Sequence, residues 1–212
     1  ARAEGLWTLP TPVAPPADVP SNLLPYPRQL AWGSGQAAFN ALAWETKSLS
    51  PELAARLTPE CRDVASSFGI PSGAGKGSWS VVFERGTAGK TPLQREAYTL
   101  SVSADGAKII AGDFPGFFNA LQTLRQLIHL AGDAGWRSPL CEINDEPAFQ
   151  IRGVMLDVGR NYIEPSLIKE IMRKLSCYKI NTLHLHLTDD PAWRFEVTKY
   201  PQLTDWKHFW PT

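Results

Sequence analysis

From residue 151 to residue 187 the chain reads as a strand, a helix and a second strand joined by short links, an order that points to a parallel α/β fold. Residues 151–158 are a short apolar run with charged groups just past its end. Pro165 opens a helix on which Leu167, Ile168, Ile171, Met172, Leu175 and Tyr178 recur at the 3.6-residue period. Glu164 and Glu170 lie towards its start, with Arg173, Lys174 and Lys179 towards its end, as a helix dipole favours. Residues 180–187 then read as another strand. Two strands bridged by a helix pair in parallel with a right-handed crossover, so an α/β domain begins here.

In parallel α/β folds, residues that meet ligands gather beyond the carboxyl ends of the strands. The first strand ends in Asp157-Val158-Gly159-Arg160-Asn161-Tyr162, the second in Thr188-Asp189-Asp190-Pro191-Ala192-Trp193-Arg194. Adjacent parallel strands place both clusters on one rim. Arginine offers a fork of donors and carboxylates accept, a set suited to vicinal sugar hydroxyls. The same residues equally permit a plain structural bridge between Arg160 and Asp189. His184 and His186, two apart on a strand, share a face. A metal-dependent barrel hydrolase could use that pair, but no third ligand is evident, so a packed, hydrogen-bonded role is expected.

Upstream the pattern differs. Residues 1–20 hold five prolines and no apolar period, an extended leader. Leu30-Ala31-Trp32 reads as a strand stopped by Gly33-Ser34-Gly35. Ser50 caps a helix with Pro51 in its first position, and Leu53, Ala54 and Leu57 share its inner face. The Gly-rich residues 71–77 lack phosphate-loop spacing and are a plain loop. Tyr98, Leu100 and Val102 alternate, Asp105-Gly106 turns the chain, and residues 108–111 return as a hairpin. Asp113 then caps a helix whose stripe of Phe114, Phe117, Phe118, Leu121, Leu124 and Ile128 is core, with Gly132 as its stop. A hairpin feeding an amphipathic helix predicts an α+β domain, an antiparallel sheet with helices on one face. The expected divisions are the leader at 1–20, this domain at 21–148, and the α/β domain at 149–212.

Lys+Arg and Asp+Glu are both 21, so no net field draws nucleic acid or an anionic membrane. No apolar run reaches the roughly 18–20 residues that cross a bilayer. Cys61, Cys141 and Cys177 are odd in number and widely spaced, which suits buried free thiols. Glu142 and Glu146 read as solvated surface groups, and Asp145-Glu146 as part of a linker beside Pro147.

The segment Arg152-Gly153-Val154-Met155-Leu156-Asp157-Val158-Gly159-Arg160 resembles the first barrel strand of the family 20 glycoside hydrolases, the β-N-acetylhexosaminidases. Residues 178–190, followed by Trp193-Arg194 and Tyr200-Pro201-Gln202-Leu203-Thr204, resemble the second strand and its loop. The unit at residues 98–130 is similar to the small α+β domain that precedes the barrel in that family. The resemblance implies an α+β domain followed by the first βαβ of a TIM (β/α)8 barrel, truncated, since a whole barrel takes about 250 residues. It implies exo-hydrolysis of terminal β-linked GlcNAc or GalNAc by a substrate-assisted retaining mechanism, without cofactor or metal. It assigns Arg160 to the hydroxyls of the non-reducing sugar, Asp157 to orienting Arg160, and Asp189 to supporting a downstream histidine. The catalytic Asp-Glu pair falls outside this chain. A glycan ending in N-acetylhexosamine and the remainder of its own barrel are the expected partners, with no nucleic acid and no membrane span. A non-catalytic carbohydrate-binding fragment is the other reading. The expected location is secreted or periplasmic. Gly159 and Asn161 stand where the family often has Ser and an aromatic or His, and Pro191-Ala192 where Gln-Gly is common.

Overall fold

The computed structural model describes residues 23–132, 135–190 and 192–205, so the Pro-rich leader at 1–20 lies outside the described residues. The described chain divides into two compact units between Gln150 and Ile151.

The first unit is a seven-stranded sheet carrying two long helices. Its elements are β1 (Gln29–Phe39), β2 (Ala41–Glu45), α1 (Pro51–Phe68), β3 (Ser78–Arg85), α2 (Pro92–Arg95), β4 (Tyr98–Val102), β5 (Gly106–Ala111), α3 (Phe114–Leu127), β6 (His129–Leu130) and β7 (Trp136–Asp145). The strand order is β1-β7-β4-β5-β3-β2, with β6 beside β7. Strands β1, β7, β4 and β5 run antiparallel, whereas β5–β3 and β3–β2 are parallel. The sheet is therefore mixed, which corrects the antiparallel expectation. Helix α1 carries the chain from the end of β2 back to the start of β3, and that return makes neighbours parallel. The hairpin signal at residues 98–111 reports only its own pair of strands.

Both long helices cover one face of the sheet. Trp79, Val81 and Phe83 of β3, Leu100 of β4, Ile109 of β5 and Ile143 of β7 are buried on that face. Leu57 and Val64 of α1 and Phe117, Leu121 and Leu124 of α3 pack over them, with Phe83 and Phe117 ring centroids 5.8 Å apart. Each such side chain contributes roughly 1.5–3 kcal/mol by leaving water. Ser50 caps α1 by accepting the Leu53 N–H at 3.4 Å, and Gly69 ends it in the left-handed region at φ 67°.

Four local expectations fail for identifiable reasons. Gly33–Gly35 does not stop β1; it forms a bulge, and the register against β7 shifts between Trp32 and Gln36. Gly35 has φ +93°, which favours glycine. Asp113 precedes α3 but makes no side-chain cap, because its carboxylate pairs with Arg95 at 3.0 Å. Gly132 does not end α3; the helix stops at Leu127, where Ile128 turns extended and leads into β6. Asp145 is not a linker residue: it closes β7, is buried, and accepts the Tyr98 hydroxyl at 3.0 Å and the Arg28 N–H at 3.1 Å.

The second unit holds β8 (Gly153–Asp157), α4 (Pro165–Ser176), β9 (Thr182–His186), a hairpin of β10 (Thr188–Asp189) and β11 (Ala192–Trp193), and a 3-10 turn at Pro201–Thr204. β8 and β9 pair in parallel, from Gly153 opposite Thr182 to Asp157 opposite His186. The apolar stripe of α4 is open: no residue of the helix is buried, and Leu167 and Met172 are 48% and 46% exposed. Among the described residues β8 and β9 pair with each other and with no further strand, so each keeps one unpaired edge.

Candidate functional site

The parallel register fixes the site. Asp157 and His186 are the last residues of β8 and β9 and lie opposite one another, so the turns that follow leave from the same end of the sheet. The backbone continues the pairing one step further. The Val158 and Gly159 N–H groups both donate to the His186 carbonyl, at 3.1 and 3.0 Å. Gly159 is the point of closest approach, because a Cβ there would lie 3.3 Å from the Asp189 nitrogen and 3.4 Å from an Asp157 carboxylate oxygen.

Arg160 leaves this turn with its guanidinium held on two sides. Nη1 donates to Asp157 Oδ2 at 2.6 Å and Nη2 to Asp189 Oδ2 at 2.6 Å, while the Arg160 backbone N–H donates to Asp157 Oδ1 at 2.9 Å. The two carboxylates are largely covered, at 21% and 22% side-chain exposure, but Arg160 remains 58% exposed. Its guanidinium plane is thus fixed by two bonds while much of the side chain stays open to solvent. Charge-assisted bonds of this length are strong and directional. Asp189 also accepts the Asp190 N–H at 2.7 Å and the His186 Nε2 at 2.9 Å.

The protonation states follow from these bonds. Asp157 is held below the usual carboxylate value, first by the Arg160 backbone N–H and then by its guanidinium. Asp189 is lowered first by the Asp190 N–H, then by His186 and the charge of Arg160. Arg160 is raised in turn, chiefly by its bond to Asp157. A cation clamped between two carboxylates in this way presents donors to neutral hydroxyls without itself being free to leave.

His184 and His186 differ in their surroundings. His184 is exposed, and His186 is half-buried against Asp189. Among the described residues the group able to surround a cation is Asp157, His186 and Asp189, with ligand atoms within 4.8 Å of one another. Both of those carboxylates are already bonded to the Arg160 guanidinium. Glu142 is exposed and accepts the Ser101 hydroxyl, and Glu146 pairs with Arg28 at 3.2 Å, so both act at the surface of the first unit. Cys61 and Cys141 are buried free thiols and burial pushes each up to about 12, whereas Cys177 is partly exposed, contrary to a uniform buried set. No helix among the described residues is long and apolar enough to cross a membrane.

Sequence reasoning places Arg194 in the polar cluster beyond the second strand but gives it no role. Its side chain donates from Nε to the Val158 carbonyl at 2.9 Å, across 36 positions of sequence, and its guanidinium lies over the Tyr162 ring at 5.5 Å. Only the fold brings those partners together.

The model of the glycosyl hydrolase family 20 catalytic domain matches residues 149–209, and that of domain 2 of the same family matches residues 20–146. A β-hexosaminidase from Porphyromonas gingivalis is 41% identical over 120 residues, covering 54% of this chain and 15% of that protein. The N,N'-diacetylchitobiase of Vibrio harveyi is 40% identical over 109 residues, or 51% of this chain and 12% of that protein. Among solved structures, an exo β-N-acetylglucosaminidase from Vibrio harveyi in complex with N-acetylglucosamine superposes with a TM-score of 0.69 at 29% identity, covering 92% of this chain and 29% of that one. The β-hexosaminidase of Streptomyces plicatus, a D313N variant in complex with GlcNAc, gives 0.72 at 25% identity, covering 91% and 40%. The chain spans under a quarter of the length of the curated relatives it matches, 15% and 12% of these two. The two domain models follow one another in order and together take in residues 20–146 and 149–209, and on that match the chain belongs to glycosyl hydrolase family 20.

Proposed function

We propose that the whole protein is an exo-acting β-N-acetylhexosaminidase that removes terminal β-linked GlcNAc or GalNAc from glycans. Residues 149–212 supply the first βαβ of its TIM barrel, and later strands supply the Asp-Glu pair. The open apolar stripe of α4 and the unpaired edges of β8 and β9 support this reading, since the next strands and helices of a barrel would cover both. The proposed mechanism is substrate-assisted: the acetamido oxygen attacks its own anomeric carbon, the Asp orients that group, and the Glu protonates the leaving oxygen and then activates water.

The observation that carries the reading is the Arg160 clamp. A guanidinium fixed by Asp157 and Asp189 at the carboxyl ends of parallel strands offers a pre-set plane of donors. That plane suits adjacent hydroxyls of a non-reducing sugar, and holding it in advance lowers the ordering cost of binding. Asp157 and Asp189 act through Arg160, and Asp189 would in addition support a histidine from a later strand. Location outside the cytoplasm, secreted or periplasmic, belongs to the same proposal. The test is turnover of 4-nitrophenyl N-acetyl-β-glucosaminide. The full-length protein should release nitrophenol and residues 1–212 alone should not; an inactive full-length protein, or an active 1–212 chain, would overturn the proposal.

A further inference from the structure

The Arg160 turn is held from outside by a side chain that the proposed chemistry does not use. Hairpin β10–β11 touches the turn twice. At its start Asp189 takes the Arg160 guanidinium at 2.6 Å. Just past its end the Arg194 N–H donates to the Leu187 carbonyl at 2.9 Å, closing the base of the hairpin. From there the Arg194 side chain donates to Val158 O at 2.9 Å, two residues before Arg160, and covers Tyr162, two residues after it. Arg194 therefore brackets the turn on both flanks of Arg160, while Ala192 beside it is buried and anchors the hairpin.

We infer that Arg194 is a positioning residue for Arg160: it fixes the backbone of residues 158–162 so that the guanidinium stays in the plane set by Asp157 and Asp189. This rests on the proposed sugar-binding role of Arg160. The physical ground is geometric. The turn has no regular secondary structure of its own, and Val158 O lies beyond the last β8–β9 pair. Loss of its donor leaves the peptide after Val158 held at its Gly159 N–H but not at its carbonyl edge, so that it can tilt, and a displacement of about 1 Å at a binding group is enough to cost up to a hundredfold in catalysis. The delocalised, flat guanidinium of Arg194 meets a carbonyl edge and a ring face at once, which an ammonium does less well.

The experiment is a double-mutant cycle in the full-length protein. Arg160→Ala, Arg194→Ala and the double variant are compared by kcat/KM on 4-nitrophenyl N-acetyl-β-glucosaminide, with Arg194→Lys alongside. Arg194→Ala should lower kcat/KM roughly tenfold or more, and Arg194→Lys, which keeps the stem and one donor, should fall between it and the parent. In the Arg160→Ala background the further loss on removing Arg194 should shrink to under about twofold, because the group being positioned has gone. A merely structural Arg194 would give losses that multiply, and that result overturns the inference while leaving the proposed function standing. Should Arg194→Ala not fold, the same cycle with Arg194→Lys decides, an undiminished loss in the Arg160→Ala background again overturning it. A full-length protein without turnover, or an Arg160→Ala variant with parental kcat/KM, overturns the proposed function and this inference with it.

Discussion

Replacing Tyr98 by Phe should destabilise the first unit although the ring and its packing are kept. Tyr98 is the first residue of β4, is 3% exposed, and directs its hydroxyl to Asp145 Oδ2 at 3.0 Å and Thr123 Oγ1 at 2.7 Å. Burial holds this phenol well above its ordinary value, with the charge of Asp145 adding to the effect, so it stays a donor at neutral pH. In the variant Asp145, itself 8% exposed, keeps the Arg28 N–H but loses its hydroxyl donor. Thr123 still has the Asn119 carbonyl at 3.2 Å. The dominant loss is thus one hydrogen bond to a buried charged group, about 2 kcal/mol. For a unit between the small and mid-sized classes that corresponds to a fall in Tm of roughly 6–10 °C. Urea unfolding followed by tryptophan fluorescence reads it, since Trp79 lies in the same core. If Tyr98 were only apolar filling, Tyr98→Phe would be neutral or stabilising. A change below about 0.5 kcal/mol in either direction refutes the reasoning.

Acid should leave the Arg160 clamp intact until the carboxylates protonate. Asp157 and Asp189 are both lowered from 3.8, so their hold is fully present above that value and is lost as pH falls through the lowered one. His186 faces them as well, with Nε2 2.9 Å from Asp189, and its charge lowers both carboxylates further. Affinity of the full-length protein for N-acetylglucosamine, measured calorimetrically, is expected to stay level from pH 7 to about 4 and to weaken below it; weakening that sets in near pH 6 would contradict the clamp. Thiol chemistry gives an independent check on the first unit. With Cys61 and Cys141 buried and pushed up to about 12, Ellman's reagent at pH 8 should label only Cys177 of these three thiols in the folded protein and each of them in urea; rapid labelling of Cys61 and Cys141 without denaturant would show the core to be wrong.

What the sequence revealed, and what it hid, divides along physical lines. Periodicity and cap residues are local, so α1 behind Ser50-Pro51, the hairpin at residues 98–111, and the strand–helix–strand of residues 151–187 were all legible. Strand partners are not local. Nothing near Ser78–Arg85 says that it lies parallel to both Ala41–Glu45 and Gly106–Ala111, and the mixed sheet was lost for that reason. Glycine misled twice, because a stop and a bulge ask for the same residue: Gly33–Gly35 bends β1 without ending it, and Gly132 follows β6 rather than α3. A carboxylate's partner is equally invisible, so Asp113 was read as a cap when Arg95 takes it, and Asp145 as a linker group when Tyr98 buries it. At the site, Arg160, Asp157 and Asp189 stood out through their place beyond two strands. Arg194 lay in the same cluster, but its role was hidden, since its acceptor is a backbone carbonyl whose position depends on the finished fold.

The claim on which the account depends is that the guanidinium fixed between Asp157 and Asp189 is what the terminal sugar meets. A crystal structure of the full-length protein with N-acetylglucosamine bound measures this directly. Arg160 nitrogens within about 2.7–3.1 Å of two sugar hydroxyls, with both aspartates still in place, is the expected result. A sugar bound elsewhere, or an Arg160 that abandons Asp157 and Asp189 and points away from it, would contradict the account.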